Sequence, residues 1–245
     1  MKERFGATDE RSMKLRFHTQ TAGSSLTAQQ AENNIVRTTV QGLSAVLGGT
    51  QSLHTNAFDE ALALPTERSA RIALRTQQIL AHEGGLTSTT DPLAGSYYVE
   101  ALTDAVEEAA WEYIRRIDAL GGSVHAIEER FMQREIEESA FRYQREVEKE
   151  ERIIVGVNRY GSGEDPDMEL HSVDESILER QSERLAQLRE ARDNPAVEKA
   201  LRRLKTVAAG SENLLYPMKE ALANLATVGE VSDALREVFG QYRPS

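Results

Sequence analysis

A polar segment, GGTQSLHTN at residues 48–56, lies between two stretches that have the apolar spacing of helices. Residues 28–47 and 66–83 repeat apolar side chains every three or four positions, which is typical of an amphipathic helix. A segment between two such helices is expected to be a buried parallel strand, rich in Val, Ile and Leu. Here Leu53 is the only large apolar residue. The pattern therefore predicts a strand whose side chains need hydrogen-bond partners.

A pair of glycines follows each of the two helices and marks its end, at 48–49 and 84–85. A first strand is expected within residues 12–23, where apolar and polar side chains alternate before the run becomes polar. A third strand is expected in the Thr- and Ser-rich segment LTSTTDPLAGS, at residues 86–96. The resulting order of strand and helix, repeated three times, predicts βα units and a parallel sheet.

From residue 103 onward the pattern is mainly helical, so we divide the chain into residues 1–102 and 103–245. A short β-rich run, IIVGVNRY, and an acidic loop at residues 161–169 interrupt the helices. The last helix follows Thr227-x-x-Glu230, the spacing of a capping box. The C-terminal helices are expected near residues 174–192, 196–209, 214–226 and 228–239.

Two architectures satisfy this pattern, and both are α/β. Three βα units cannot close a (β/α)₈ barrel, which needs eight strands, and as an open sheet they leave long unpaired edges. The chain is therefore either the C-terminal part of a (β/α)₈ TIM barrel, followed by a mainly helical extension, or a small three-layer α/β domain with an unusually polar sheet.

Composition excludes several classes of function. The chain has 29 Lys and Arg against 40 Asp and Glu, a net charge of −11, which argues against nucleic acid and anionic membrane surfaces as partners. It has no cysteine, which excludes disulfides, metal–thiolate sites and thiol nucleophiles and fits a cytoplasmic protein. No window reaches 18 apolar residues, so no transmembrane helix is expected.

Three long motifs resemble the C-terminal half of the catalytic barrel of methylmalonyl-CoA mutase large subunits: HTQTAGSSLTAQQAENNIVRT, GGTQSLHTNAFDEALALPTERSARIALRTQQIL and DPLAGSYYVEALT. IIVGVNRY and NLLYPMKEALANLATVGEVSDALREVFGQY resemble the helical region that follows that barrel. The likeness runs from Lys2 to Tyr242. It implies a barrel that holds the pantetheine chain of CoA along its axis, where the polar strand residues would find hydrogen-bond partners.

The resemblance implies substrate contacts for two residues. His18 matches a histidine beside the thioester and acyl group, although a core histidine bonded to the backbone is the alternative. Gln51 resembles a glutamine that contacts substrate. The alternative for Gln51 is a residue that only fills space in a buried strand. This is unfavourable, because its side-chain amide would need several hydrogen-bond partners there.

Five further residues match positions that contact adenosylcobalamin. Gln20 resembles a glutamine over the upper face of the cofactor, and Gly23 matches a close backbone approach to the corrin; ordinary strand-end and turn residues are the alternatives. Asn56 and Glu60 resemble the pair that binds the ribose of the adenosyl group. Ala63 matches a small residue near the corrin.

The implied activity is a radical carbon-skeleton isomerisation of an acyl-CoA, such as methylmalonyl-CoA to succinyl-CoA, with adenosylcobalamin as cofactor. The family's Asp-x-His-x-x-Gly motif is absent, so no metal ligand is expected here and the cobalt ligand is expected on another chain. No catalytic residue is assigned. Ser24 replaces a tryptophan found in many of these mutases, which leaves the acyl substrate open and resembles a branch with separate subunits.

An active enzyme would therefore be a hetero-oligomer, and the isolated chain is expected to be inactive. Its expected partners are the acyl-CoA substrate, a chain carrying the N-terminal half of the barrel and a small cobalamin-binding subunit. Two alternatives remain open. The chain is a non-catalytic fragment or an assembly module of a mutase complex, or it is a plain three-layer α/β binding domain.

Overall fold

The computed structural model describes residues 1–161, 163 and 168–243. By its contacts the chain divides into two compact units, Met1–Ser172 and Val173–Ser245. Most of the acidic segment expected as a loop at residues 161–169 lies outside the described residues. In the described part of the chain, none of the helices has both the length and the apolar character needed to span a membrane.

The first unit alternates short strands with helices and then becomes helical. Its elements are α1 (Lys2–Phe5), a 3₁₀ helix (Glu10–Met13), β1 (Thr19–Gln20), a second 3₁₀ helix (Gly23–Ser25), α2 (Asn33–Leu47), β2 (Leu53–His54), α3 (Glu67–His82), α4 (Tyr97–Ala119), α5 (Ser123–Glu128) and α6 (Phe131–Glu148). The helices predicted at residues 28–47 and 66–83 are confirmed as α2 and α3, and each ends at the predicted pair of glycines.

Strands β1 and β2 pair in parallel, with Thr19 beside Leu53 and Gln20 beside His54. Helix α2 lies between them in the chain, so the predicted βα order is confirmed for these two strands. Helix α2 packs closely on α3 over the sheet. A Cβ added at Gly42 would lie 3.0 Å from Leu80 and 3.7 Å from Thr55. The small parallel sheet and the abundant helix are what an α/β fragment would show.

The prediction of a third strand at residues 86–96 is wrong, because this segment forms successive turns. Asp91, in its middle, has a positive φ of 48°, which does not fit an extended strand. The first strand is also shorter than predicted, since it begins at Thr19 and Leu15 is 75% exposed. A short strand is not stable without a paired neighbour. Among the described residues, the sheet consists of β1 and β2 alone, so no further strand pairs with residues 12–18 or with residues 86–96.

Helices α4 and α6 meet through aromatic and charged side chains. The ring centroids of Tyr113 and Phe131 are 6.4 Å apart, and the Arg116 guanidinium lies 4.7 Å from the Phe131 centroid. The Tyr113 hydroxyl donates to Glu135 at 2.7 Å, which raises the tyrosine pKa and lowers the glutamate pKa. These contacts involve the C-terminal half of α4.

The first turn of α4 lies apart from those contacts. Tyr97 and Tyr98 are 95% and 76% exposed in this chain. The helix packs through its other end, where Tyr113 and Arg116 meet α6, and its first turn therefore projects outward.

The predicted β-rich run at residues 153–160 forms a tight turn rather than a strand, with a lone bridge between Val155 and Arg159. Arg37 of α2 donates to the Val155 carbonyl at 2.7 Å, and Gln30 donates to the Tyr160 carbonyl at 2.9 Å. Gly156 has a φ of +83°, and a Cβ there would come within 3.0 Å of Gln30. The turn is thus held against the start of α2, and its positive φ at residue 156 favours glycine.

The second unit contains α7 (Ser176–Ala191), α8 (Asn194–Ala208), α9 (Leu215–Ala223) and α10 (Val228–Phe239), close to the four predicted ranges. The last three pack around a small apolar core built from Val197, Ala200, Leu204, Ala221, Ala226, Val231 and Ala234. The predicted capping box is confirmed, because Thr227 accepts from the Glu230 backbone N–H and Glu230 accepts from the Thr227 N–H.

An arginine from the α7–α8 connection joins this capping box. Arg192, whose side chain is 6% exposed, donates to both carboxylate oxygens of Glu230, at 2.5 and 2.7 Å. This guanidinium, more than any other neighbour, lowers the pKa of Glu230 from 4.5 to about 2. Sequence spacing predicts the capping box but not the ion pair, because the two charged residues are 38 positions apart.

We predict that Glu230→Gln lowers the free energy of unfolding by about 2–3 kcal/mol at pH 7. The depressed pKa means that the carboxylate contributes stability above pH 4.5 and loses it as the pH falls toward 2. The difference between wild type and variant should therefore roughly halve at pH 3. Calorimetric unfolding at both pH values measures it. Glu198→Gln, which breaks an exposed pair with Arg202, is the matched control and should have little effect. An equal effect of both variants would contradict the prediction.

Candidate functional site

The two-stranded sheet has one covered face and one open face. Thr19, Thr21, Leu53 and Thr55 are buried or half-buried, whereas His18, Gln20, Ser52 and His54 are exposed. The split follows from the period of two in a strand, because neighbours in a parallel pair point to the same side. The covered face meets the helices, as where the Thr55 hydroxyl donates to the Ala73 carbonyl of α3 at 2.8 Å. The polar residues of the quoted segment are therefore divided between helix contacts and an open polar face.

At the amino end of the strand pair lie the two residues expected to contact substrate. His18 Nδ1 is 2.9 Å from the Ser52 hydroxyl across the open face. Gln51 reaches the other segment, where its Oε1 accepts from the Phe17 backbone N–H at 3.0 Å. Both side chains are exposed and carry groups that can donate or accept further hydrogen bonds. The expected alternative for His18, a core histidine, does not fit its exposure.

At the carboxyl end, three of the expected cofactor residues lie together. Asn56 is 4% exposed, and its Nδ2 donates to Glu60 Oε2 at 2.5 Å. The second oxygen of Glu60 accepts from the Ala57 backbone N–H at 2.7 Å. A Cβ added at Gly23 would lie 3.4 Å from Asn56 Nδ2. The carboxyl ends of parallel strands are where α/β sheets commonly bind ligands.

The remaining two expected residues lie near this cluster in the chain. Gln20 is exposed in β1, beside His54 in the register. Ala63 is half-buried in the turn before α3, and its N–H donates to the Asp59 carbonyl at 3.1 Å. The structure thus brings together Gly23, Asn56 and Glu60. It holds His18 and Gln51 at the opposite end of strands only two residues long.

A buried asparagine of helix α2 holds the segment that carries Glu60. Asn34 of α2 is fully buried and makes four hydrogen bonds. Its Nδ2 donates to the carbonyls of Thr27 and Phe58, and its Oδ1 accepts from the Thr27 N–H and from Arg37. An asparagine side chain has two donor hydrogens and two acceptor lone pairs, so this amide is fully satisfied. It ties helix α2 to the segment that positions Glu60.

The turn at Gly23 also adjoins an aromatic groove of about 690 Å³ within the first unit. Ser24 and Ser25 form one rim, and the opposite wall comes from α4 and α6, including Tyr113, Phe131 and Tyr143. Ser24, the residue at the position where the resemblance expects tryptophan, therefore lines this groove and directly follows Gly23, which lies against Asn56.

Comparison with known proteins decides the family. The family model for methylmalonyl-CoA mutase matches residues 1–241. The chain belongs to the methylmalonyl-CoA mutase family. This confirms the resemblance seen in the sequence motifs.

Named relatives cover almost all of the chain. It is 49% identical over 233 residues, 94% of its length, to methylmalonyl-CoA mutase of Rhizobium meliloti, and 47% identical over 239 residues, 97% of its length, to that of Escherichia coli. It is 43% identical over 245 residues, 99% of its length, to the 2-hydroxyisobutanoyl-CoA mutase large subunit of Aquincola tertiaricarbonis. The chain spans 33%, 34% and 44% of these three relatives, respectively.

Sequence reasoning missed three polar residues that the structure places beside the expected site residues. Thr21 contacts Asn56, Ser52 contacts His18, and His54 lies beside Gln20. The parallel register is the signal that would have identified them, because pairing Thr19 with Leu53 places Ser52 opposite His18, His54 opposite Gln20, and Thr21 one position from Asn56. Within the described ranges, no group of three or more His, Asp or Glu side chains is placed to hold a metal ion.

We predict that Asn34→Ala lowers the free energy of unfolding of the first unit by about 3 kcal/mol, because it leaves buried backbone groups without partners. Asn33→Ala is the matched control. Its side chain makes one bond, to Gln30, and its loss should cost less than about 1 kcal/mol. Urea unfolding followed by the fluorescence of Trp111, the sole tryptophan, measures both variants. Equal midpoints for the two variants would contradict the role given to Asn34.

Proposed function

We propose that this chain forms part of the substrate- and cofactor-binding wall of an adenosylcobalamin-dependent acyl-CoA mutase. The reaction is a carbon-skeleton isomerisation of the methylmalonyl-CoA to succinyl-CoA type. The observation that supports it most directly is the cluster of Gly23, Asn56 and Glu60 at the carboxyl end of the strands, in a chain of this family. The relatives' names, which specify mutases of acyl-CoA compounds, support the reaction class.

The chemistry of the cluster fits a ribose. Both oxygens of Glu60 already accept one hydrogen bond each, and each carboxylate oxygen has a second lone pair for a hydroxyl group. A vicinal diol presents two hydroxyl donors at matching spacing. Asn56 and Glu60 would therefore hold the ribose of the adenosyl group, while Gly23, without a side chain, and Gln20 and Ala63 would lie against the corrin. When bound, adenosylcobalamin supplies the radical chemistry of the rearrangement.

The other end of the strands suits the acyl-CoA. Gln51 and Asn56 are five positions apart, a span of at most about 18 Å in an extended chain. His18 and Gln51 would orient the thioester at one end of this span, and the adenosyl group would lie at the other. The open face between them, with Gln20, Ser52 and His54, offers hydrogen bonds to the amides of a pantetheine chain.

The rest of the binding site must come from other polypeptide segments. Residues 1–102 would complete a (β/α)₈ barrel whose N-terminal half is carried by a partner chain, and residues 103–245 would form the following helical region. A small cobalamin-binding subunit would supply the cobalt ligand, because the corresponding motif is absent here. The complex is then a cytoplasmic hetero-oligomer. The Aquincola relative is named as a large subunit, which supports a mutase built from more than one kind of chain. Ser24 leaves the choice of acyl group open.

We expect isomerase activity on acyl-CoA only when this chain is combined with an N-terminal barrel partner, a cobalamin-binding subunit and adenosylcobalamin. In that assembly Glu60→Gln should lower kcat/KM by about tenfold to a hundredfold, because a neutral amide is a weaker acceptor and misplaces one hydrogen bond. Glu67→Gln, an exposed position on α3, is the matched control and should be neutral. Assembly without activity in any combination would instead support a non-catalytic assembly module.

Gly23→Ala separates folding from cofactor binding. Gly23 does not have a positive φ, and the added methyl would make a close contact, at 3.4 Å, with Asn56 Nδ2. We expect less than about 1 kcal/mol change in the free energy of unfolding. The affinity of the assembled enzyme for cobalamin, followed by absorbance titration, should fall about tenfold or more. The control is Gly210→Ala, in the second unit. Unchanged cobalamin affinity in Gly23→Ala would contradict the placement of the corrin.

A further inference from the structure

We propose that Thr21 is a positioning residue that fixes the orientation of the Asn56 amide, so that the amide nitrogen faces Glu60 and the carboxylate is set to accept the ribose. This proposal rests on the proposed function. Thr21 immediately follows β1, and Asn56 lies two residues after β2. Thr21 itself would touch no ligand and would act through Asn56.

The geometry between the two side chains is reciprocal. Thr21 is 5% exposed, and its hydroxyl donates to Asn56 Oδ1 at 2.5 Å. The same hydroxyl oxygen accepts from the Asn56 backbone N–H at 2.9 Å. The Thr21 backbone N–H donates to the His54 carbonyl at 3.1 Å, so the parallel register itself delivers this hydroxyl to Asn56.

The single hydroxyl proton of Thr21 favours one orientation of the Asn56 side-chain amide. A backbone N–H can only donate, so it occupies a lone pair of the Thr21 oxygen and leaves the one hydroxyl proton free to point at Asn56. That proton needs an acceptor, which is the carbonyl end of the amide. In the reversed orientation Oδ1 would face Glu60 Oε2, placing two acceptors against each other. Thr21 and Glu60 thus select the same orientation from opposite sides of Asn56.

The consequence is a carboxylate held in place before any ligand arrives. Asn56 Nδ2 holds one oxygen of Glu60, and the Ala57 N–H holds the other. The Glu60 side chain is therefore already held in one rotamer when a diol binds, so less conformational freedom is lost on binding. Without the Thr21 hydroxyl, the Asn56 carbonyl loses its buried donor, and only the contact with Glu60 still opposes reversal of the amide.

The test compares two cobalamins in the assembled enzyme. Dissociation constants for adenosylcobalamin and for methylcobalamin, which lacks the adenosyl group and its ribose, are measured by absorbance titration for wild type, Thr21→Val and Thr21→Ser. We expect Thr21→Val to weaken adenosylcobalamin binding about tenfold and to leave methylcobalamin binding unchanged, since one buried hydrogen bond is lost. Thr21→Ser keeps the hydroxyl and should restore adenosylcobalamin binding, although it removes a methyl group from the covered face.

Thr19→Val is the matched control, because Thr19 is a half-buried threonine of the same strand whose hydroxyl bonds to Thr50 instead. It should bind both cobalamins as wild type does. Equal weakening of both cobalamins in Thr21→Val, unchanged binding, or failure of Thr21→Ser to restore it would each overturn the positioning role.

Two further measurements keep the outcome decisive. If Glu60→Gln and Asn56→Ala also leave the preference for adenosylcobalamin unchanged, the proposed function itself fails. If they reduce it and Thr21→Val does not, only the role of Thr21 fails. Should Thr21→Val not fold, the wild-type chain is labelled with ¹⁵N-asparagine. Slow exchange of one Asn56 side-chain proton is expected, and exchange at the rate of an exposed amide would overturn the proposal.

Discussion

The parallel register of β1 and β2 is the constraint on which the candidate site depends. Pairing Thr19 with Leu53 places Thr21 beside Thr55 and lets its hydroxyl reach Asn56, the next residue. A slip of one residue would reverse every side chain between the covered and the open face. The Thr21–Asn56 bond would then be lost together with the contact of His18 and Ser52. The pairing of Thr19 with Leu53 and of Gln20 with His54 thus positions the groups that would bind a nucleoside and a thioester.

Helices cover only one of the two faces of the sheet. Helices α2 and α3 cover one face, whereas polar side chains occupy the other and are open to solvent in this chain. The chain also exposes large apolar side chains on those helices, including Val36 at 64% and Leu74 at 51%. Such surfaces commonly mark places where another segment packs. In the proposed mutase, the rest of the barrel would enclose the polar face and bury part of this apolar surface.

Local signals in the sequence were reliable where the structure is governed by local contacts. Helices α2 and α3 end at the predicted pairs of glycines, and the capping box at Thr227 forms as its spacing indicated. The prediction of a third strand was wrong because a strand depends on contacts between segments that are distant in the sequence. The Thr- and Ser-rich residues 86–96 fit a strand by composition, but a strand needs a hydrogen-bonding neighbour, and the described residues give it none.

The sequence by itself determined the helices, their ends, the family and the residues that match its binding motifs, because each depends on side chains close together in the chain or on a long contiguous likeness. Only the tertiary structure decided which polar residues share a face, that Thr21 holds Asn56, and that Arg192 joins Glu230. These contacts link residues 35 and 38 positions apart. Whether such residues meet depends on strand register and helix packing, which no local pattern encodes.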